Sequence, residues 1–199
     1  MKARVAIFAS GEGSGFEAMV NASRQGQLAA DICGLLVNRA QAKALARAQR
    51  LSVPAAVLSP LDFSDRDLWD QAVLAQLKEW RTDWVALAGF LTLVGPAVLT
   101  AFAGRVVNSH PALLPKFGGA GMYGAKVHQA VLTAGEKVTG VTIHLVDGEY
   151  DRGRILHQAQ VGVEGNDTAA SLATRVKNLE HRIYPIVLND LVTGRLKTR

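Results

Sequence analysis

The chain has 199 residues, 49% hydrophobic and 20% charged, a balance that supports a buried core and excludes global disorder. Its one cysteine, Cys33, excludes an internal disulfide, and no run reaches the roughly 18 apolar residues that span a bilayer. The net charge of +5 sits partly on Arg39, Lys43, Arg47 and Arg50 and on Arg195, Lys197 and Arg199, without interleaved aromatics. That pattern speaks for solvated faces that attract small anions, with no nucleic-acid partner. The apolar stretch before Gly11 is too short for a signal peptide, so a cytoplasmic protein with no membrane partner is expected.

In chain order, residues 4–10 (RVAIFAS) read as a buried strand, 11–15 as a loop and 16–25 as a helix. Residues 31–37 form a second strand, and 40–50, rich in good helix formers, a second helix. Residues 55–58 give a short third strand. The stretch 65–80 is helical, because Leu68, Trp69, Ala72, Leu77 and Trp80 keep a helical period. Residues 84–88 form a fourth strand, 95–102 a short helix and 105–108 a fifth strand. A Gly- and Pro-containing loop then covers 111–124, followed by a helix at 125–134 and two strands at 141–146 and 155–163. Asn166 or Asp167 caps a last helix that carries Leu172, Val176, Leu179 and Ile183 on one face. Apolar strands without alternation are buried on both faces. The expected fold is α/β: a single doubly wound, mostly parallel but mixed sheet with helices on both faces, over one domain of residues 1–199. Residues 1–108 form its nucleotide-binding-like half.

Four segments carry possible chemistry. Ser10-Gly11-Glu12-Gly13-Ser14-Gly15 joins a strand to a helix, where backbone N–H groups and the helix N-terminus favour an anion. It is neither a complete G-x-G-x-x-G nor a P-loop. Asn108 and His110 end the fifth strand, where open α/β sheets bind ligands, and their i, i+2 spacing turns both to one face. An Asn amide there can hold an oxyanion, and a His can move a proton. His144 lies within a strand, and the loop after it holds Asp147, Glu149 and Asp151. One of these carboxylates faces His110 and raises its pKa; spacing alone does not select which. His128, His157 and His181 show no metal-binding spacing, and Ser10, Ser14 and Ser109 lack a nucleophile elbow. Cys33 reads as inert core.

Asn108-Ser109-His110-Pro111-Ala112-Leu113-Leu114-Pro115 resembles the N-x-H-P-[SA]-L-L-P signature of the folate-dependent formyltransferases. Residues 140–153 (GVTIHLVDGEYDRG) resemble their second block, and Glu180-His181-Arg182-Ile183-Tyr184-Pro185 resembles the E-H-x-x-[YF]-P of the branch that acts in purine synthesis. The resemblance spans the chain. It implies a formyltransferase-like fold and transfer of a formyl group from the co-substrate 10-formyltetrahydrofolate to the amine of phosphoribosylglycinamide, without a metal. Residues 109–199 would be the folate and catalytic half.

The resemblance further implies a catalytic trio of Asn108, His110 and Asp151, with His144 in support. In that scheme Asn108 and protonated His110 donate to the tetrahedral oxyanion, and Asp151 steadies the imidazolium. Gly13, Ser14 and Gly15 would hold the phosphate, with Lys177 and Glu180 gripping the rest of that substrate. Arg66, Phe90, Leu91, Thr92, Leu93, Val94, Asp147, Gly148, Glu149 and Tyr150 would line the folate site. A cis bond is implied at Leu114-Pro115. The chain differs from the family's pattern at Glu12, Gly15 and Thr92, and in a longer 117–124 loop. Related possibilities are a formyltetrahydrofolate hydrolase, another amine or sugar N-formyltransferase, and a non-catalytic ligand-binding domain. The start at the first strand, with no regulatory domain before it, speaks against the hydrolase. Monomer and homodimer both remain open.

Overall fold

A computed structural model describes residues 1–198; Arg199, from the terminal basic cluster, lies outside the described residues. The strands are β1 (Ala3–Ala9), β2 (Ala30–Val37), β3 (Ala55–Val57), β4 (Trp84–Leu87), β5 (Val106–His110), β6 (Val138–Leu145) and β7 (Ile155–Gly162). The helices are α1 (Ser14–Arg24), α2 (Ala44–Arg50), α3 (Arg66–Glu79), α4 (Pro96–Ala101), α5 (Ala125–Thr133) and α6 (Ala169–Val192). One sheet runs in the order β3-β2-β1-β4-β5-β6-β7. β1 to β5 pair in parallel, and β6 and β7 add as antiparallel strands.

β1 shows why the sheet is covered on both faces. Val5, Ile7 and Ala9 join a core shared with α1, α2, α5 and α6, whereas Ala6 and Phe8 join the core under α3 and α4. Alternate side chains enter opposite layers, so a strand without a polar face is the stable choice. The strand order reverses between β1 and its two neighbours, β2 and β4, which opens a crevice above their carboxyl ends.

Several boundaries differ from the sequence reading, β6 for example starting at Val138 rather than 141, and three of the differences have a plain cause. α2 starts at Ala44 rather than residue 40, because the chain first turns so that the Ala44 N–H reaches the Gly11 carbonyl at 3.0 Å. β5 continues to His110, since antiparallel pairing with β6 extends it by two residues. Thr168, not Asn166 or Asp167, caps α6: its hydroxyl accepts from Ser171 N at 3.1 Å, and Ser171 Oγ accepts from Thr168 N at 3.0 Å. Asp167 is drawn instead to Arg175, at 2.7 Å. Among the described residues no helix is long and apolar enough to cross a membrane.

Candidate active site

Above the carboxyl ends of β1, β4 and β5 lies a cavity of about 830 Å³. Its walls are the glycine loop, residues 87–94, the end of β5, part of the 120–125 segment, the loop after β6 and one face of α6.

The glycine loop is set by a close approach. Gly13 caps α1 with φ at 72°, and a Cβ there would come within 2.5 Å of the Ala44 Cβ. Only glycine combines that backbone with that contact. Gly13, Ser14 and Gly15 therefore present backbone to the cavity at a helix N-terminus. Glu12 stands at the rim, and its carboxylate pairs with Lys43 Nζ at 2.9 Å. Lys43 thus offsets the charge that would otherwise repel an anion, and holds the Glu12 carboxyl below its usual range.

At the other end four side chains meet. Asn108 and His144 are cross-strand partners on β5 and β6, with Asn108 Nδ2 3.1 Å from His144 Nε2. His144 Nδ1 lies 2.8 Å from the Leu145 carbonyl, which can only accept. Nε2, on the other side of the ring, faces both the Asn108 amide and the Asp151 carboxylate. Asn108 keeps a second N–H uncommitted. Asp151 stands between the two histidines, with Oδ2 3.3 Å from His110 Nδ1 and Oδ1 3.5 Å from His144 Nε2. The structure thereby distinguishes Asp151 from Asp147 and Glu149 as the carboxylate facing His110. The neighbouring histidines and the Gly119 N–H, 2.9 Å away, hold its carboxyl below the usual value despite burial.

His110 departs from the sequence reading. The facing carboxylate is present, but burial outweighs it, and the His110 pKa lies below its ordinary value. Asp151 and the Phe117 carbonyl, 2.8 Å from Nε2, both favour the imidazolium and oppose that burial. The resting imidazole is therefore neutral at neutral pH, yet both ring nitrogens face acceptors that would hold a second proton.

α6 supplies the third wall. Lys177, Glu180 and His181 share its cavity face, as their i, i+3, i+4 spacing requires. Glu180 Oε1 accepts from Ser109 Oγ at 2.6 Å, and burial pushes its carboxyl pKa up. One turn on, the Tyr184 hydroxyl lies 3.2 and 3.0 Å from the Leu87 and Val107 carbonyls, tying α6 to the strands beneath the cavity.

Of the residues expected around folate, Phe90, Leu91, Thr92, Leu93, Val94, Glu149 and Tyr150 line the cavity. Arg66, Asp147 and Gly148 lie off this wall. Arg66 donates to the Leu93 carbonyl and stacks over Trp69, 4.1 Å from the ring centroid, so it braces the wall from behind. Asp147 accepts from Glu149 N at 3.0 Å and shapes a turn. Thr92 accepts from Asn38 Nδ2 at 2.7 Å.

Several supports escaped the sequence reading. Buried Thr142 donates to the Ala112 carbonyl at 2.7 Å and accepts from Leu114 N at 3.0 Å and Gln158 Nε2 at 2.9 Å. Together they clamp the segment that carries the cis Leu114-Pro115 bond. Its only signal was a polar residue among apolar ones in β6. His128, 96% buried and on the cavity wall, was noted only for lacking metal spacing. Among the described residues no group of three or more His, Cys, Asp or Glu is arranged to hold a metal ion.

The model of the formyl transferase family matches residues 3–188. A phosphoribosylglycinamide formyltransferase of Bacillus subtilis (strain 168) is 34% identical over 95% of this chain and 94% of its own length. A chloroplastic phosphoribosylglycinamide formyltransferase of Vigna unguiculata is 39% identical over 98% of this chain, which spans 63% of that relative's length. The crystal structure of the phosphoribosylglycinamide formyltransferase from Bacillus halodurans superposes with a TM-score of 0.89, at 40% identity, over 96% of each chain. With the fold, the cavity and this match across nearly its whole length, the chain belongs to the formyl transferase family.

Proposed function

We propose that this chain transfers the formyl group of 10-formyltetrahydrofolate to the primary amine of 5'-phosphoribosylglycinamide, in de novo purine synthesis. The observation that carries this reading is the cluster of Asn108, His110, His144 and Asp151 beside a glycine loop, in one cavity. It works as a cytoplasmic enzyme, monomeric or homodimeric, in which residues 1–199 form one formyltransferase domain, with residues 1–108 contributing the phosphate end and 109–199 most of the reacting end. No nucleic acid or membrane takes part.

The apolar wall of Phe90, Leu91, Val94, Val146 and Tyr150 suits the flat aromatic body of the formyl donor. Backbone N–H groups at residues 13–15, with Lys177, suit a phosphate, and Glu180 suits the amine or ribose. Glu149 and the turn at Asp147 and Gly148 shape the donor's mouth, which Arg66 braces.

In the transfer the amine nitrogen attacks the formyl carbon and the carbonyl oxygen becomes an oxyanion. The uncommitted N–H of Asn108 donates to it, and His144 fixes the direction of that amide. His110, neutral at rest, takes the proton that the amine loses. Asp151 and the Phe117 carbonyl then steady the imidazolium. The C–N bond to the folate breaks, and His110 returns the proton to the departing nitrogen. One N–C bond forms, one breaks, and one proton changes nitrogen.

Mixing the protein with both substrates and following loss of formyl-folate tests this. Turnover that requires the amine, with formylated product, is expected. Turnover with water alone would make it a hydrolase, and no turnover with any amine would make it a binding domain.

A further inference from the structure

We propose that Ser109 is a positioning residue that fixes the Glu180 carboxylate for the amine-bearing substrate. The inference rests on the transfer reading above and adds to it a residue from between the two catalytic positions of β5.

Along a strand successive side chains point to opposite faces. Asn108 and His110 turn to the reacting centre, so Ser109 turns to α6. There its hydroxyl donates to Glu180 Oε1 at 2.6 Å, the short distance of a bond to a charged acceptor. Ser109 is 7% exposed, and Glu180 is its one side-chain partner among the described residues. Gly15 approaches the same oxygen from the glycine loop, since a Cβ there would lie 3.8 Å from Oε1. The Glu180 carboxylate thus stands between the phosphate end and the reacting end, with one oxygen tied down.

The tie also bears on charge. Burial favours the protonated carboxyl, which could not attract an ammonium or accept from an amine; Ser109 and Lys177 oppose it. The titratable groups facing Glu180 are Lys177 and Tyr184 on its own helix. β5 contributes the neutral Ser109, with His110 on the strand's far face, and the loop contributes Gly15.

The test compares Ser109→Ala, Ser109→Thr and Glu180→Gln, alone and with Ser109→Ala added to Glu180→Gln. Losing a hydrogen bond to a buried charge predicts a rise of about tenfold or more in KM for phosphoribosylglycinamide in Ser109→Ala. KM for the formyl donor stays near wild type, and the acid limb of kcat/KM moves to higher pH. Ser109→Thr, which keeps the hydroxyl on a strand-favouring side chain, restores KM. Ser109→Ala has no further effect in the Glu180→Gln background. In the free protein, carbon NMR of the Glu180 carboxyl shows its titration midpoint rising in Ser109→Ala. An unchanged midpoint, or equal KM losses for both substrates, overturns the proposal. If the wild type formylates no amine, the transfer reading fails, and the NMR midpoint still decides whether Ser109 governs Glu180.

Discussion

At the glycine-loop end of the cavity the groups on offer are backbone, and a contact between Gly13 and Ala44 sets their place. At the other end Asn108, His110, His144 and Asp151 are side chains, placed by hydrogen bonds to one another and to main-chain carbonyls. The first end is fixed by shape, and its charges are the rim pair of Glu12 and Lys43 with Lys177 reaching in from α6. The second is fixed by polarity, and its charges answer to pH. A substrate with a permanently charged tail and a reacting amine meets a surface suited to each.

On the proposed mechanism, removing the His110 imidazole strikes the second end hardest. His110→Ala is expected to lower kcat by about 100- to 10,000-fold, the usual loss with a positioned acid–base group, while KM for the phosphorylated substrate changes little. Steady-state kinetics with both substrates check it; near-full activity would remove His110 from the chemistry.

The complementary break is Gly13→Ala. A Cβ so close to Ala44, on a left-handed backbone, costs about 1–3 kcal/mol of stability. KM for the phosphorylated substrate rises, with kcat near wild type. Denaturant unfolding with kinetics separates this from His110→Ala; a loss confined to kcat would contradict the contrast between the ends.

Thr142→Val keeps the volume and removes a buried hydroxyl with three partners. The Leu114 N–H and the Gln158 amide then lose their acceptor, a loss of about 1–3 kcal/mol. Thermal unfolding reads it, and a stability equal to wild type would show that the clamp carries no weight.

pH sharpens the contrast without mutation. Burial lowers the pKa of His110, His128 and His181 below the ordinary 6.5. Below that value the unfolded chain binds protons that the folded chain refuses, so stability present above 6.5 is lost as pH falls. The depressed Asp151 carboxyl adds a loss only at lower pH, below the ordinary 3.8. Thermal midpoints across that range should decline first from about pH 6.5. For the same reason the His110 contribution to the acid limb of kcat belongs below 6.5, apart from the Glu180 limb of kcat/KM.

The smallest effect belongs to Lys43→Ala. Lys43 and Glu12 are exposed, and a solvent-screened pair adds little. Thermal stability should stay at wild type, with at most a slight rise in KM for the phosphorylated substrate.

The sheet was legible because apolar runs and helical periods are local signals, and the β-α alternation leaves few topologies. Asn108 and His110 were legible as a pair because strand spacing turns them together. What stayed hidden is non-local. Thr142 looked like one polar residue in an apolar strand until the Ala112–Leu114 segment folded over it. Burial set the charge of His110, and no neighbour in sequence reports burial. The start of α2 depended on Gly11, 33 positions earlier than the Ala44 it receives. The family pattern points to Arg66 as a ligand contact, and no local signal shows that its guanidinium also donates to the Leu93 carbonyl.

Phe117, at a φ of 58° unusual for its residue type, gives its main-chain oxygen to His110. Such an acceptor has no side chain to delete. A survey of single substitutions at this position would record the lost packing of the ring against the core and would miss the dependence on its carbonyl. The lever is the length of the following loop. Shortening or grafting the stretch up to Gly124 would retune the basicity of His110 twice over, through that carbonyl and through the Gly119 N–H that holds Asp151.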